Sequence, residues 1–261
     1  MNIMFVTQDE PFYIKSFFRR FLSQYLEKDM IKGVLIQKTF NQGSFSGVLK
    51  KALDFYGKFG FFYMGLQYAG IKASDLQSRL LNIQFNHSIE QIVEKHGIPL
   101  LKFESVNGVD FLEFIRKEDI SLIISVAASE IFKKSVLNAP AMGCINVHSA
   151  PLPKYRGMMP NFWTLYNKEE YAWITVHKMV EKLDEGPIIL QESFNVFPRE
   201  SYNSLAKRSK EYAAELLIKV LKMFEDGTVR YLPNDSSKAT YYTFPTKEEV
   251  HEFKKRGGRI I

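Results

Sequence analysis

The sequence predicts an α/β fold in which a parallel sheet carries helices on both faces. Two observations predict it: short apolar runs of strand length alternate with amphipathic helical segments, and the connections between them are short. The alternation continues over the first two-thirds of the 261 residues. Ligands of such sheets gather at the carboxyl ends of the strands, so polar residues there are the first candidates for a site.

The N-terminal elements are a strand, a helix and a second strand. Asn2–Thr7 is an apolar run that ends in polar residues, as a buried parallel strand does. Gly33–Gln37 is the next strand candidate. Between them, one face of a helix is marked by apolar residues at helical spacing: Ile14, Phe17, Phe18, Phe21, Leu22 and Tyr25.

The segment from Thr39 to Asn86 has a less regular pattern, and its Val48–Ile71 part is rich in aromatic residues and glycine. Two interpretations stay open. The segment forms a pair of core-packing helices or a lid, or it forms an interfacial patch for a membrane or a partner subunit.

After this segment the alternation of strands and helices resumes and continues to Val147. The predicted elements are helix Ser88–Lys95, strand Pro99–Phe103, helix Val109–Glu118, strand Ser121–Ala127, a helix around Ile131–Leu137 and strand Gly143–Val147.

After His148 the order of the predicted elements changes. A proline- and glycine-bearing loop, a short helix, two β-type runs and a long amphipathic helix follow one another: Ser149–Pro160, Asn161–Tyr166, Ala172–Val180, Pro187–Val196 and Ser201–Asp226, with Gly227 as the helix stop. The remainder holds one strand and a short helix begun by the capping box Thr246–Glu249. We therefore expect a domain over residues 1–227 and a short C-terminal extension, 228–261, packed on it.

Composition excludes a disordered chain, because 46% of the residues are hydrophobic and 25% are charged. The net charge of +6 favours anionic partners without choosing among them. Cys144 is the only cysteine, which excludes an intrachain disulfide. The start of the chain does not resemble a signal peptide, and the most apolar stretch, Phe59–Ala69, is shorter than the ~20 residues of a membrane helix. We expect a cytoplasmic protein without an integral membrane segment.

Three polar residues make a coherent set for acyl transfer. Asn146 and His148 are two apart, so on one strand they point to the same side, and Asp184 lies in a later turn. An amide and an imidazole can donate hydrogen bonds to an oxyanion, and a carboxylate can orient the imidazole or take a proton from an attacking amine. The five histidines lack metal-ligand spacing, so we expect no metal. From spacing alone, this set is also compatible with an ordinary strand end and turn.

The segment GCINVHSAPLPKYRG resembles the folate-dependent N-formyltransferase family, whose members share an Asn-x-His-x-Ser-Leu-Leu-Pro signature and a later Asp-x-Gly turn. The match runs through two sets of positions: Asn146, His148, Leu152, Pro153, Arg156 and Gly157, then Asp184, Gly186, Pro187, Ile188 and Gln191. His177 also resembles a recurrent family position. The resemblance implies a Rossmann-like fold, formyl-tetrahydrofolate as co-substrate, and catalysis by Asn146, His148 and Asp184.

The resemblance also implies which residues contact the two substrates. For the folate they are two loops, Ser129, Glu130, Ile131 and Phe132, and Val180, Glu181, Lys182 and Leu183. For a small amine acceptor they are Thr7, Gln8, Tyr13, Pro153, Arg156, Gly157, Asn161 and Trp163. Core packing is the competing interpretation for Ile131, Phe132 and Trp163.

The departures from the family narrow the acceptor. Ala150 and Pro151 replace Ser-Leu of the signature, and Asp9 and Glu10 stand where the glycinamide ribonucleotide members have a phosphate-binding loop. Residues 228–261 are shorter than the C-terminal domain of the methionyl-tRNA members, so we expect no nucleic-acid partner. A nucleotide-linked amino-sugar is the favoured acceptor. The alternatives are formylation of another amine, including a lipid-linked one, or a formyl-tetrahydrofolate hydrolase. A homodimer and a peripheral membrane contact stay open.

Overall fold

The computed structural model describes residues 1–38, 45–81 and 87–261. Within these ranges the strands are β1 (Ile3–Gln8), β2 (Ile31–Gln37), β3 (Leu100–Leu101), β4 (Leu122–Val126), β5 (Cys144–His148), β6 (Arg156–Gly157), β7 (Tyr171–Lys178), β8 (Ile188–Asn195) and β9 (Tyr241–Tyr242). The helices are α1 (Ile14–Gln24), α2 (Phe45–Leu81), α3 (Ile89–Lys95), α4 (Val109–Lys117), α5 (Lys134–Leu137), α6 (Pro160–Tyr166), α7 (Tyr202–Glu225) and α8 (Lys247–Lys255).

Seven of these strands form one mostly parallel sheet in the order β3-β2-β1-β4-β5-β7-β8. The first five are parallel neighbours, and β7 and β8 join as an antiparallel hairpin beside β5. The chain order reverses between β1 and β4, which is where ligands bind in open α/β sheets. The predicted α/β, Rossmann-like class is confirmed.

Helices cover both faces because alternate residues of β1 enter two separate apolar clusters. Ile3 and Phe5 pack with α1, α3 and α7, whereas Met4 and Val6 pack with α4 and α5. The aromatic face predicted for α1 is buried, and ring contacts join Phe5 to Phe17, Phe18 and Phe21. Burying such rings on both sides fixes the sheet between two layers of helix.

Two predicted elements are shorter than expected. The helix around Ile131–Leu137 begins only at Lys134, because the Asn107 side chain accepts from the Lys133 N–H at 2.7 Å and donates to the Ile131 carbonyl at 2.9 Å. The strand predicted at Pro99–Phe103 is confined to Leu100–Leu101, the edge strand, which pairs only with β2.

The aromatic segment forms one long helix, α2, interrupted at Gly57, whose φ of +75° is left-handed. Its inner side is buried through Phe55, Met64 and Ile71, while much of its outer side is exposed. Neither interpretation of the segment is complete, since one face packs and the other does not. The flanking residues 39–44 and 82–86 of the predicted Thr39–Asn86 segment lie outside the described residues.

The C-terminal segment contacts several parts of the sheet domain. β9 pairs in parallel with β6, Ser201 forms a bridge with Arg259, and the predicted capping box at Thr246 is present. The division of the chain at residue 227 stays a prediction. None of the described helices combines the length and the hydropathy needed to cross a bilayer.

Candidate active site

Asn146 and His148 lie on β5 and face the same side, as their spacing predicts. Asn146 pairs with Ser125 of β4 on one side and with His177 of β7 on the other. His148 is the last residue of β5 and is almost fully buried. The strand order therefore places both side chains beside the β7–β8 hairpin.

The turn between β7 and β8 brings Asp184 to these two residues. Its Oδ2 lies 3.8 Å from His148 Nδ1, and its Oδ1 lies 3.5 Å from Asn146 Nδ2. His177 is a fourth member, with Nε2 3.5 Å from Asp184 Oδ1 and 3.3 Å from Asn146 Nδ2. The structure thus brings the three predicted catalytic side chains together, and their catalytic role stays a prediction.

Hydrogen-bond partners fix which ring nitrogen faces the cluster. His148 Nε2–H donates to the Tyr155 carbonyl at 2.8 Å, which leaves Nδ1 facing Asp184. His177 Nδ1–H donates to the Lys178 carbonyl at 3.0 Å, so its Nε2 accepts from the Asn146 amide. The Asn146 amide therefore points to His177, and the unprotonated Nδ1 of His148 and Nε2 of His177 both lie beside the carboxylate.

Burial and neighbouring groups act in opposite directions on the two titrating groups. Burial alone would raise the pKa of Asp184, but the nearby His148 and His177 and the Gly157 N–H together lower that pKa below its usual range. Burial lowers the pKa of His148, and the nearby Asp184 carboxylate only partly offsets the effect. At neutral pH the site therefore holds an ionised carboxylate beside a neutral imidazole.

Asp184 has an uncommon backbone conformation that the surrounding groups hold in place. Its φ is +54°, in the left-handed region. The Gly157 N–H donates to its Oδ2 at 2.9 Å, and the Asn234 amide donates to the carbonyls of Asp184 and Gly186, both at 2.8 Å. Position 186 requires glycine, because a Cβ there would lie 1.7 Å from the Lys178 carbonyl oxygen.

Arg156 connects this turn to the C-terminal segment. Its guanidinium donates to Asn234 Oδ1 at 2.9 Å and to the Tyr241 hydroxyl at 2.8 Å, and Nη1 lies 3.2 Å from Glu185. The side chain is 0% exposed. Arg156 therefore holds Asn234, which in turn holds the Asp184 backbone. The Arg156 side chain, which is predicted from the sequence to contact the acceptor, has no exposed atom.

The first predicted folate loop follows β4. Here Glu130 turns inward and accepts from the Val106 N–H at 3.0 Å and from Asn107 at 2.8 Å, so its carboxylate is engaged by the protein. Phe132 is buried in the core, as the packing interpretation expected, whereas Ile131 is exposed. The Ser129 N–H donates to the Gln37 side chain at 2.9 Å. Only Ile131 of this group presents a mainly exposed side chain.

The second predicted folate loop follows β7. Val180 and Leu183 are exposed, and the exposed Lys182 lies 3.6 Å from Glu185; Glu181 is exposed too. The first loop starts four residues after Ser125 and the second starts three residues after His177, the two strand partners of Asn146. Apolar side chains are thus available on both sides of Asn146, and folate contact by these loops stays a prediction.

The predicted acceptor residues divide into buried and accessible groups. Thr7 donates to the Val126 carbonyl at 2.8 Å, Ser209 donates to Asn161 at 2.8 Å, and Trp163 donates to the Thr243 carbonyl at 3.1 Å. Thr7, Asn161 and Trp163, the predicted acceptor residues among these, are all buried, so Trp163 packs in the core. Gln8, Tyr13, Pro153 and Gly157 are partly exposed and remain candidates.

Glu10 lies between β1 and α1 and caps the start of the helix. Its carboxylate accepts from the backbone N–H groups of Phe12, Tyr13 and Ile14 at 2.8–3.1 Å, at the start of α1. Burial raises the pKa of Glu10, although these hydrogen bonds and Lys210 lower it in part. The helix N-terminus is thus filled by the chain's own carboxylate, which agrees with the predicted absence of a phosphate cradle.

Sequence reasoning missed Asn234, and no local signal marks it. It lies 50 residues after Asp184 in an irregular segment, and the antiparallel bridge between Leu232 and Ile188 brings it to the turn. In the described part of the chain, no group of three or more His, Cys, Asp or Glu residues could hold a metal ion.

Comparison with known proteins shows the family of the chain. The model described as "Formyl transferase" matches residues 73–221, more than half of the chain. The chain belongs to the formyl transferase family. Methionyl-tRNA formyltransferase of Thermotoga maritima is 38% identical over 162 residues, covering 62% of this chain and 52% of that protein. The chain therefore spans about half the length of the curated relatives it matches.

Solved structures of formyl transferase family members share the fold. Glycinamide ribonucleotide transformylase 1 from Symbiobacterium toebii superposes with a TM-score of 0.59 at 16% identity, covering 89% of this chain and 94% of that one. The N-formyltransferase from Helicobacter canadensis, solved with folinic acid and dTDP-3-aminofucose, gives 0.57 at 16% identity, covering 93% and 71%. At these identities the likeness concerns the fold alone.

Proposed function

We propose that this protein transfers a formyl group from formyl-tetrahydrofolate to the primary amine of a small acceptor. The observation that carries the proposal is the buried cluster of Asn146, His148 and Asp184, with an ionised carboxylate 3.8 Å from a neutral imidazole. Membership of the formyl transferase family supports the reaction class.

Each group has a step suited to its chemistry. Attack of the amine on the formyl carbon places negative charge on the formyl oxygen, and the Asn146 amide donates to it. Asp184, ionised before the reaction, receives the amine proton directly or through water. The proton then passes to the folate nitrogen as its bond to the formyl carbon breaks. His148 shares the proton through Nδ1, the ring nitrogen that faces Asp184.

The donor side combines apolar surface with fixed polar groups. Ile131, Val180 and Leu183 are the exposed apolar side chains of the two predicted folate loops. Such side chains suit the flat face of a pterin ring, while the adjacent backbone can bond to its edge. This fit supports formyl-tetrahydrofolate as the co-substrate.

A nucleotide-linked amino-sugar is the acceptor class that we propose. Glu10 fills the start of α1, which disfavours an acceptor phosphate at that position. The accessible candidates, Gln8 and Tyr13, are polar or aromatic and fit a sugar or base. The identity to methionyl-tRNA formyltransferases makes methionyl-tRNA the second acceptor to test. The cytoplasmic location, the absence of a nucleic-acid partner and a homodimer stay predictions.

Turnover with a defined acceptor panel tests this proposal. Purified protein is mixed with formyl-tetrahydrofolate and either nucleotide-linked amino-sugars, methionyl-tRNA or no acceptor. Folate absorbance reports loss of the formyl group, and mass spectrometry reports the product. We expect acceptor-dependent release and a formyl-sized mass gain on one amino-sugar.

The Asn146→Ala variant ties the activity to the site. Loss of an oxyanion donor should slow transfer by about 10²–10³-fold. Formylation of methionyl-tRNA alone would replace the proposed acceptor, and release without any acceptor would indicate a hydrolase. A full rate in the variant would contradict the role of Asn146.

A further inference from the structure

The outer face of α2 is an apolar surface that the domain does not cover. Seven apolar residues follow one another at alternating spacings of three and four: Phe59, Phe62, Leu66, Ala69, Ala73, Leu76 and Leu80. All seven are exposed, and Phe59 reaches 94%. We call these seven residues the outer stripe. On a helix it extends over about 32 Å along a single face.

The helix carrying the outer stripe is held firmly on its other side. Phe55 and Met64 are buried, and Gly60 approaches Ile261 so closely that a Cβ would lie 2.9 Å from its side chain. Lys254 donates to the Phe55 carbonyl at 2.9 Å, close to the interruption at Gly57. The exposure of the stripe is therefore a consequence of how α2 docks, because its opposite face is already used.

The stripe is larger than an ordinary exposed patch. With Tyr63 and Leu81 beside it, its large side chains expose on the order of 1,000 Å², whereas the largest patch of a typical monomer is roughly 300–600 Å². That area equals or exceeds the roughly 800 Å² that one partner contributes to a standard interface. Such a surface indicates a binding face.

Charge selects the occupant of this face. Among the described side chains of α2, the exposed charged ones are all lysines: Lys50, Lys51, Lys58 and Lys72. A second copy of the chain would bring lysines to lysines, with no exposed acid of α2 between them in the described residues. An anionic bilayer meets both requirements, because acyl chains accept the stripe and headgroups accept the lysines.

We infer that the outer stripe of α2 binds the surface of an anionic lipid bilayer, with α2 lying in the plane of the interface. Aromatic residues concentrate in the half of α2 that also carries three of the lysines. Phenylalanine and leucine beside lysine is the composition of interfacial helices. This inference does not depend on the proposed function, because binding is measured without turnover.

Vesicle co-sedimentation tests the inference. The full chain is centrifuged with phosphatidylcholine vesicles that contain either no or about 30% phosphatidylserine. We expect it to pellet with the anionic vesicles and to stay largely in the supernatant with the neutral ones. A double variant, Phe59→Ser with Phe62→Ser, should partition at least tenfold more weakly, since both side chains are exposed and their loss leaves the fold intact.

Two further variants make the test specific. Leu26→Ser with Val109→Ser removes two equally exposed apolar side chains elsewhere and should leave partitioning unchanged. Lys58→Glu should weaken it by roughly fivefold or more, because each lysine near an anionic surface contributes favourably. Equal binding by the Phe59 and Phe62 variant would overturn the inference. Failure of the full chain to pellet with anionic vesicles would also overturn it. If sedimentation without vesicles showed a doubled mass that the Phe59 and Phe62 variant abolished, the stripe would instead bind a second copy of the chain.

Discussion

Two carboxylates, one after β1 and one after β7, accept backbone N–H groups, yet their pKa values shift in opposite directions. The pKa of Asp184, beside two histidines, is lowered, whereas the pKa of Glu10, at the start of α1, is raised. Burial raises both values, and Glu10 accepts three backbone hydrogen bonds against the single one reported for the Asp184 carboxylate.

The difference lies in the side chains around each turn. Asp184 has His148 and His177 within 4 Å. The charged side chain that lowers the pKa of Glu10 is Lys210, and burial lowers the pKa of Lys210 itself. Backbone N–H groups hold both carboxylates in position, but only at Asp184 do the neighbouring side chains outweigh burial and lower the pKa. A carboxylate held by backbone N–H groups therefore caps a helix at Glu10, whereas at Asp184 it belongs to the proposed catalytic cluster.

Removing the charge of Asp184 gives the largest expected effect. Asp184→Asn keeps an oxygen for the Gly157 N–H but loses the proton acceptor, so formyl transfer should fall by roughly 10³-fold. Steady-state turnover measures the rate, and circular dichroism checks the fold. Asp226→Asn, at an exposed carboxylate, is the control and should behave like wild type. Near-normal turnover by Asp184→Asn would show that the two carboxylates do not differ in function.

Loosening the Asp184 turn from outside should have a smaller effect. Asn234→Ala removes both hydrogen bonds to the turn without replacing Asn146, His148 or Asp184, so kcat should fall by up to about 10²-fold because Asp184 is misplaced. KM for the folate should change little, which separates positioning from a binding defect. Asn138→Ala, an exposed asparagine that caps α5, is the control. An unchanged kcat would mean that the histidines alone hold Asp184.

The smallest effect is expected at Glu10. Glu10→Ala removes the helix cap and should lower the free energy of unfolding by about 1 kcal/mol, while Glu10→Gln keeps one acceptor oxygen and should lose less. Denaturant unfolding measures both.

The pH dependence of stability distinguishes the two carboxylates. Because the folded pKa of Glu10 is raised, wild type loses stability as pH rises from the unfolded pKa to the folded pKa, so Glu10→Gln should gain on wild type over that range. The folded pKa of Asp184 is lowered, so its contribution is present above the unfolded pKa and is lost as pH falls below about 4. Parallel pH curves for Glu10→Gln and Asp184→Asn would contradict the opposite shifts.

Much of the fold and the central cluster could be predicted from the sequence. Apolar runs and helical spacing suffice for β1, α1 and β5, and the two-residue spacing of Asn146 and His148 fixes their common side. Helix ends followed local chemistry too, as at Thr246. These features depend on contacts that are near in sequence.

The rest depends on contacts that are distant in sequence. Arg156 is in a family signature and is polar, so a substrate contact was expected, but the pairing of β6 with β9 buries it against Asn234 and Tyr241. The composition of α2 predicted an apolar surface without indicating that one face would dock and the other stay exposed. Whether a polar residue such as Arg156 is buried depends on which strands pair, and the hydrophobic periodicity of the sequence does not indicate that pairing.

The bond from Asn234 to Asp184 also sets an order of events during synthesis. Asp184 leaves the ribosome 50 residues before Asn234, and β9, the partner of β6, follows later still. The chain emerges at ≈ 5–20 residues/s, so the Asp184 turn is made before its outer support. A nascent chain that ends before residue 234 contains all three predicted catalytic side chains, but its Asp184 turn lacks the Asn234 hydrogen bonds. Full activity should therefore appear only once the C-terminal segment has been made.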